Sequence, residues 1–549
     1  MKRILFNLML LMGVLALSVA ACAPAAAPAE APSEGEETTT DTGETAADDE
    51  GTGGTMVWVG HQEVAGLSPS DAGPTVHWAM IGNIHDPLLM VNEELELEPF
   101  LAESYEVSED GLQYTFHLRE GVTFHDGSDF TAEDVKYTYE FYSDPETGST
   151  IANNFAGMGM IETPDDYTVV VNMDEPNAAF LVNAATTWIV PSDYHAEVGE
   201  DVYRTAPIGT GPFKLVEWVP AEYTLLEANA DYFLGRPEVD FLRQEVVPEP
   251  SVRSIAIETG EADSATWPLL VEDSLRLRDS GEGYTVFSTP ANSVKHFPLN
   301  NEHPILSDKQ VRQAMMYALD RQRIIDDLWS GAAVVAETNL SPAAPYHSVE
   351  NIATYDYDPD MARQLLEEAG WVDEDGDGIR EKDGEPFTFT CTTITGDQAR
   401  RPIAELTQQF FADVGIDMQL AEAPVASILE GMRNGEMDCS LYNWTYGSAI
   451  DPDASTTLRS DGANNFSNFK NERVDELLDM GLREPDPEVR AQYYAEIQQI
   501  VSEEAPFLFL QYDDWLNVYA PRVIGLPDPA ETPSGDRLYI KAHIMGLGG

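Results

Sequence analysis

Basic residues are scarce in this 549-residue chain: Lys and Arg number 30 against 97 Asp and Glu, a formal net charge of −67 at pH 7. Such a surface repels phosphate backbones and anionic headgroups, which excludes general nucleic-acid binding. Cysteine is scarcer still. Three cysteines cannot build a disulfide framework or a four-thiolate zinc site. No HExxH, GxSxG or Walker-type phosphate loop occurs, and the ten histidines are scattered without ligand spacing. Outside residues 4–21, no run is long and apolar enough to span a bilayer. What is present is core material: 43% of residues are hydrophobic and 9% aromatic. Single cores stop growing near ~250–300 residues, so at least two lobes are expected.

The N-terminus carries an address. Lys2 and Arg3 precede an apolar run that closes on Val19-Ala20-Ala21-Cys22. A basic start, an apolar middle and small residues at the end make a secretory signal. The closing four residues resemble the lipobox of bacterial lipoproteins. That resemblance implies a signal peptide over 1–21, lipidation of Cys22 and a membrane tether in place of a spanning helix. A plain signal peptide with a chance cysteine is the alternative. Residues 23–55 hold nine acids, no base and no large apolar side chain. They cannot offset the entropy of ordering, so 22–55 is expected to be a lipidated cysteine followed by a disordered acidic linker. Residues 56–549 still hold 88 acids against 28 bases, so the acidity belongs to the folded part.

Along that part helices and strands alternate. Thr131 and Asp134 predict a capping box opening a helix to about Tyr142. Ser307/Asp308 caps a helix with apolar positions Val311, Ala314, Met315, Ala318, Leu319, Ile325 and Leu328. Asp358-Pro359 and Asp486-Pro487 are further helix starts, ended near Gly370 and Pro506. Strands are expected at Tyr114–Leu118, Thr168–Asn172, Phe387–Thr392, Ile416–Leu420, Asp438–Trp444 and Phe507–Gln511. From 387 to 444 the order is strand, helix, strand, helix, strand, a βαβαβ unit with a parallel sheet. Cys391 and Cys439 fall on its first and third strands. Buried free thiols are the favoured reading and a cross-strand disulfide the other.

The segment PFLAESYEVSEDGLQYTFHLREGVTFHDGSDFTAEDVKYTYE (99–140) resembles the signature of family 5 extracellular solute-binding proteins, which serve peptide, nickel and oligosaccharide ABC importers. PIGTGPFKLVEW (207–218), residues 231–263, NNEHPILSDKQVRQAMMYALDR (300–321), YDYDPDMARQLLEEAGW (355–371) and residues 438–453 follow in family order. The resemblance implies an α/β, two-lobed periplasmic-binding-protein-like (type II) fold with an extra inserted subdomain. Lobe I would comprise 56–97, 206–290 and 509–549, the subdomain 98–205, and lobe II 291–508. It implies a monomer that carries a peptide, or alternatively an oligosaccharide, to ABC permease and ATPase subunits, with no cofactor required. A metal-complex or haem carrier and a secreted hydrolase are more remote alternatives.

Parallel strands bind ligands at their carboxyl ends. The residues after the third strand of the βαβαβ unit are therefore the candidate site: Tyr442, Trp444, Tyr446 and Asp451, with Asn301 at the expected crossover. Peptide binders of the family place an aspartate just after the corresponding tryptophan, to hold the ligand's ammonium. Here Tyr446-Gly447-Ser448 stands there, and where dipeptide binders carry an arginine for the ligand carboxylate this sequence has Thr392-Thr393-Ile394, with Arg400 and Arg401 several residues later on a helix. This counts against a short zwitterion and leaves a longer peptide or an oligosaccharide. Separately, Asp373, Asp375, Asp377, the Ile379 carbonyl and Asp383 follow the first half of an EF-hand loop, suited to a structural Ca²⁺, with an Asp/Gly-rich solvated hairpin as the alternative. Gly384 occupies the position of the usual bidentate glutamate, so Asp383 or Glu385 would have to substitute.

Overall fold

The computed structural model describes residues 53–71, 75–92, 96–149, 151–267, 269–395, 397, 399–444, 451–529 and 542–548. The expected signal peptide, Cys22, nearly all of the acidic linker and Tyr446 lie outside the described residues. No described helix is long and apolar enough to cross a membrane.

Strand β1 (Thr55–Gly60) opens the largest sheet. The chain then builds a smaller antiparallel sheet from β2 (Ala102–Val107), β3 (Gln113–Leu118), β4 (Met158–Asp165) and β5 (Thr168–Met173), in the order β2-β3-β5-β4. Side chains alternate between faces. Tyr114, Phe116 and Leu118 on β3, with Val169, Val171 and Met173 on β5, are therefore the buried set. Helix α1 (Ala132–Ser143) packs Val135, Tyr139 and Tyr142 into the same core. Its expected Thr131/Asp134 capping box forms. The chain leaves this region through Gly209 and Gly211. A Cβ on Gly209 would fall 1.9 Å from the Ile84 carbonyl oxygen, so only glycine permits the approach.

The chain returns to the large sheet with β6 (Phe213–Val219), β7 (Tyr223–Ala228), β8 (Phe241–Val246) and β9 (Ser264–Ala265). Strand β10 (Thr285–Pro298) is long. After it, Asp308 caps α2 (Lys309–Ala318) by accepting the Gln310 N–H at 2.9 Å. The helix expected to continue to Leu328 breaks at Leu319. Asp320 caps a new helix, α3 (Arg321–Trp329), through the Arg323 N–H at 3.0 Å. Both helices still bury the expected stripe from Val311 to Ile325. Each valine, methionine, leucine or isoleucine of the stripe contributes about 1.5–3 kcal/mol relative to exposure. Strand β11 (Ala333–Val335) and helix α4 (Pro359–Glu368), capped by Asp358 as expected, lead to the βαβαβ unit.

That unit runs β12 (Thr388–Ile394), α5 (Arg400–Ala412), β13 (Asp417–Ala423), α6 (Val425–Arg433) and β14 (Cys439–Ser440), with parallel order β13-β12-β14. The third strand is shorter than expected. At the fully buried Leu441 the chain changes sheet, and β15 (Tyr442–Trp444) pairs antiparallel with β10. Helices α7 (Glu472–Arg483) and α8 (Pro487–Glu504) precede β16 (Phe507–Tyr519). The large sheet then has the order β15-β10-β16-β9-β1-β8-β7-β6, with β11 alongside β16. Strands β10 and β16 pair from Thr285↔Tyr519 to Pro298↔Phe507, with irregularities between Pro290 and Val294 and between Lys295 and His296. One hydrophobic cluster spans 294–512 and another 88–203.

Candidate functional site

The carboxyl ends of two parallel units lead to one sheet face. Strands β1 and β9 are parallel, and His61 and Trp267 stand just beyond their ends. The His61 and Trp267 ring centroids are 4.6 Å apart, and Trp267 meets Trp515 of β16 edge-on at 5.5 Å. Strand alternation places Trp515, Asp513 and Gln511 on one face of β16. Lys295 is opposite Gln511, and Asn443 is opposite Lys295, so both share that face.

A polar strip results. Lys295 Nζ lies 2.9 Å from Asp513 Oδ2. Asn443 Nδ2 donates to the same oxygen at 3.1 Å, and Gln511 Nε2 donates to Asp513 Oδ1 at 2.5 Å. Asn443 Oδ1 accepts from Arg400 Nη2 at 3.2 Å, and Arg400 pairs with Asp397 beyond the end of β12. Lys295 Nζ also sits 3.9 Å from the Trp329 ring centroid. Burial pushes the Lys295 pKa down, opposed by Asp513. Burial pushes Asp397 up, but the Arg400 charge and backbone N–H groups outweigh it and hold the carboxyl below its usual range. Two acids and two bases make the strip neutral. It can orient hydrogen-bonding groups, but every one of its charges already has an opposite partner.

The model of bacterial extracellular solute-binding proteins, family 5 Middle, matches residues 96–467. The chain belongs to that family. It is 29% identical over 436 residues to the oligopeptide-binding protein AppA of Bacillus subtilis (strain 168), a match covering 77% of this chain and 80% of that one. The structure of Bacillus subtilis AppA in complex with a nonapeptide superposes with a TM-score of 0.77 at 26% identity, covering 91% of this chain and 100% of that one. NikZ from Campylobacter jejuni in complex with Ni(L-His) gives a TM-score of 0.76 at 28% identity, covering 86% and 95%. The fold is thus that of the periplasmic binding proteins, and this family 5 protein is an extracytoplasmic solute carrier, not an enzyme.

The residues singled out in this family 5 sequence divide unevenly. Tyr442 and Trp444 flank Asn443 and so turn to the opposite face. There Trp444 packs edge-on against Phe466 at 5.1 Å, and Tyr442 lies 6.2 Å from the same ring. Asn301 Nδ2 donates to the carbonyls of Leu299, Ser467 and Pro506 at 2.8–3.1 Å, which ties three segments together and commits its donors to the fold. Asp451 is buried and paired with Arg490 at 2.6 Å, away from the polar strip's own ion pairs. His61, Trp267, Lys295, Asn443, Asp513 and Trp515 were not singled out. For Lys295, Asn443 and Asp513 the available signal is a polar residue inside an otherwise apolar strand, as in FLFLQYDDWLNVY of β16.

In the Asp-rich loop, Asp373, Asp375 and Asp377 bring their carboxylates together with Glu381, all within 4.8 Å of one another. Glu381, not Asp383, completes the group. Asp383 adopts φ 57° in the turn between Glu381–Lys382 and Glu385–Pro386, which directs the chain away. Ile379 donates its N–H to Asp377 Oδ1 at 2.8 Å. Cys391 and Cys439 are buried free thiols on paired strands, with sulfurs 2.9 Å apart.

Proposed function

We propose that this protein is the substrate-binding lipoprotein of an ABC importer. Tethered through Cys22, it captures a peptide between two hinged lobes and passes it unaltered to the membrane permease and its ATPase. The observation that carries this reading is the position of β15. It is the outermost strand of the large sheet, bordered by β10 on one side and by no described strand on the other. An open edge offers alternating N–H and C=O groups to an extended chain, which adds as a further strand. Asn443, at the centre of that edge strand, joins the neutral polar strip. A strip without an unpaired charge suits backbone and side chains better than the two charged ends of a dipeptide.

The separate clusters at 56–84 with 213–287 and 519–545, at 88–203, and at 294–512 support the division into lobe I, inserted subdomain and lobe II expected from the resemblance. The irregular pairing of β10 and β16 around Pro290–Val294 supports a hinge there. Ligand would stabilise closure only through contacts absent in the open form. The proposal includes a structural Ca²⁺ at the 373–381 loop, supported by four clustered carboxylates.

Native mass spectrometry after incubation with a tryptic casein digest and a maltooligosaccharide pool tests the cargo. The expected result is one intact peptide retained per protein. Saccharide retained in place of peptide, or cleaved peptides, would overturn it.

A further inference from the structure

We infer that His61, Trp267 and Trp515 form a side-chain subsite that takes an aromatic residue of the bound peptide. The inference rests on the peptide reading above and names the cargo more closely. The three rings come from distant segments, and each is only half-buried. None of them belongs to a hydrophobic cluster among the described residues, whereas Trp58, Trp329 and Trp371 are core members. Half-buried tryptophans gathered outside the cores mark recognition more often than stability.

Their position gives them a purpose. His61 and Trp267 follow the carboxyl ends of parallel β1 and β9, where open sheets bind ligands. Trp515 shares its sheet face with Asp513, two residues away, and so adjoins the polar strip. Two residues of extended chain span ~7 Å, so a peptide held along the strip brings a side chain to the rings. Trp267 and Trp515 meet at 65°, which makes a corner rather than a stack. A third ring entering a corner finds one edge-to-face and one offset contact, the arrangements aromatic quadrupoles favour. A branched aliphatic side chain gains contact area but not that geometry. A lysine would have to leave water in a strip whose acids are already paired.

The test uses the full chain and hexa-alanine peptides carrying one tyrosine, leucine or lysine at each position in turn, with plain hexa-alanine as reference. Dissociation constants come from competition in native mass spectrometry, with tryptophan fluorescence as a second readout. The tyrosine pool is expected to bind about tenfold tighter than hexa-alanine and ahead of leucine and lysine. Trp267→Ala and Trp515→Ala should reduce that ratio to below about threefold, while Trp267→Phe keeps most of it. Circular dichroism melts establish that each variant is folded. Equal binding of the three pools, a lysine preference, or a tyrosine preference that survives both alanine variants overturns the subsite and leaves the peptide reading standing. If wild-type protein retains none of the peptides, the peptide reading falls and the subsite with it.

Discussion

Arg490–Asp451 and Lys295–Asp513 are both buried ion pairs, with side-chain exposures of 7% and 4% in the first and 6% and 15% in the second. Their surroundings differ. Arg490 lies between Tyr346 and Tyr494, at 5.8 and 5.4 Å from the ring centroids, and its Nε donates to the Gly481 carbonyl at 2.7 Å. Burial works against its charge, but Asp451 outweighs burial and raises the guanidinium pKa further. That pair is enclosed. Asp513 instead gathers Lys295, Asn443 and Gln511 from three strands and shares its strand face with the half-buried Trp515. Burial of charge alone therefore does not mark a binding site. Burial of charge joined to accessible polar and aromatic groups from several segments is what distinguishes the proposed site.

The largest test of this contrast is Arg490→Met. It strands Asp451 in the interior and should cost about 3–5 kcal/mol in urea unfolding, with little change in peptide affinity per folded molecule. An affinity loss as large as the stability loss would erase the distinction. Asp86 supplies the case with no cation partner among the described residues. It is buried and accepts hydrogen bonds from Thr210 Oγ1 at 2.8 Å and Tyr232 OH at 3.3 Å. Burial raises its pKa from 3.8 to about 7, against those two hydroxyls. A raised carboxyl pKa favours the neutral form in the fold, so its penalty is absent below the unfolded value and grows as pH climbs to about 7. Asp86→Asn should therefore stabilise the protein by about 2–4 kcal/mol at pH 8, with the gain vanishing near pH 4. A pH-independent difference between the two unfolding curves would contradict this.

Lys295→Met comes next. Asp513 keeps two neutral donors and some exposure, so the stability loss should be only about 1–3 kcal/mol, but peptide affinity should fall more than tenfold. Unaltered affinity would remove the strip from the site. The smallest effect belongs to the 373–381 loop. Adding Ca²⁺ after chelation should raise the melting temperature by about 2–4 °C, and Asp377→Ala should abolish the rise. The same melting curve with and without Ca²⁺ would leave the loop a solvated turn.

What was legible in the sequence was local. The caps at Asp308, Asp358 and Asp486 follow from short-range hydrogen bonding, and each forms. The βαβαβ order follows from periodicity. The breaks at Leu319 and Leu441 do not, because in both places an apolar residue continues the pattern while the backbone turns away. The candidate site was legible only at its edge. Reading Tyr442 and Trp444 as ligand residues passed over Asn443, which alternation puts on the face of Lys295. His61, Trp267, Lys295, Arg400 and Asp513 are brought together by strand pairing across hundreds of residues, which no local pattern encodes. Nothing local to Asp451 announces its partner, because Arg490 lies far along the chain in α8.

Hydrogen exchange of the full chain, with and without the tryptic casein digest, tests the central claim most directly. Capture on the proposed face should slow exchange at 442–444, 511–515 and 264–267 together. Peptide retained with protection confined to other segments, or no retained peptide and no protection, would contradict it.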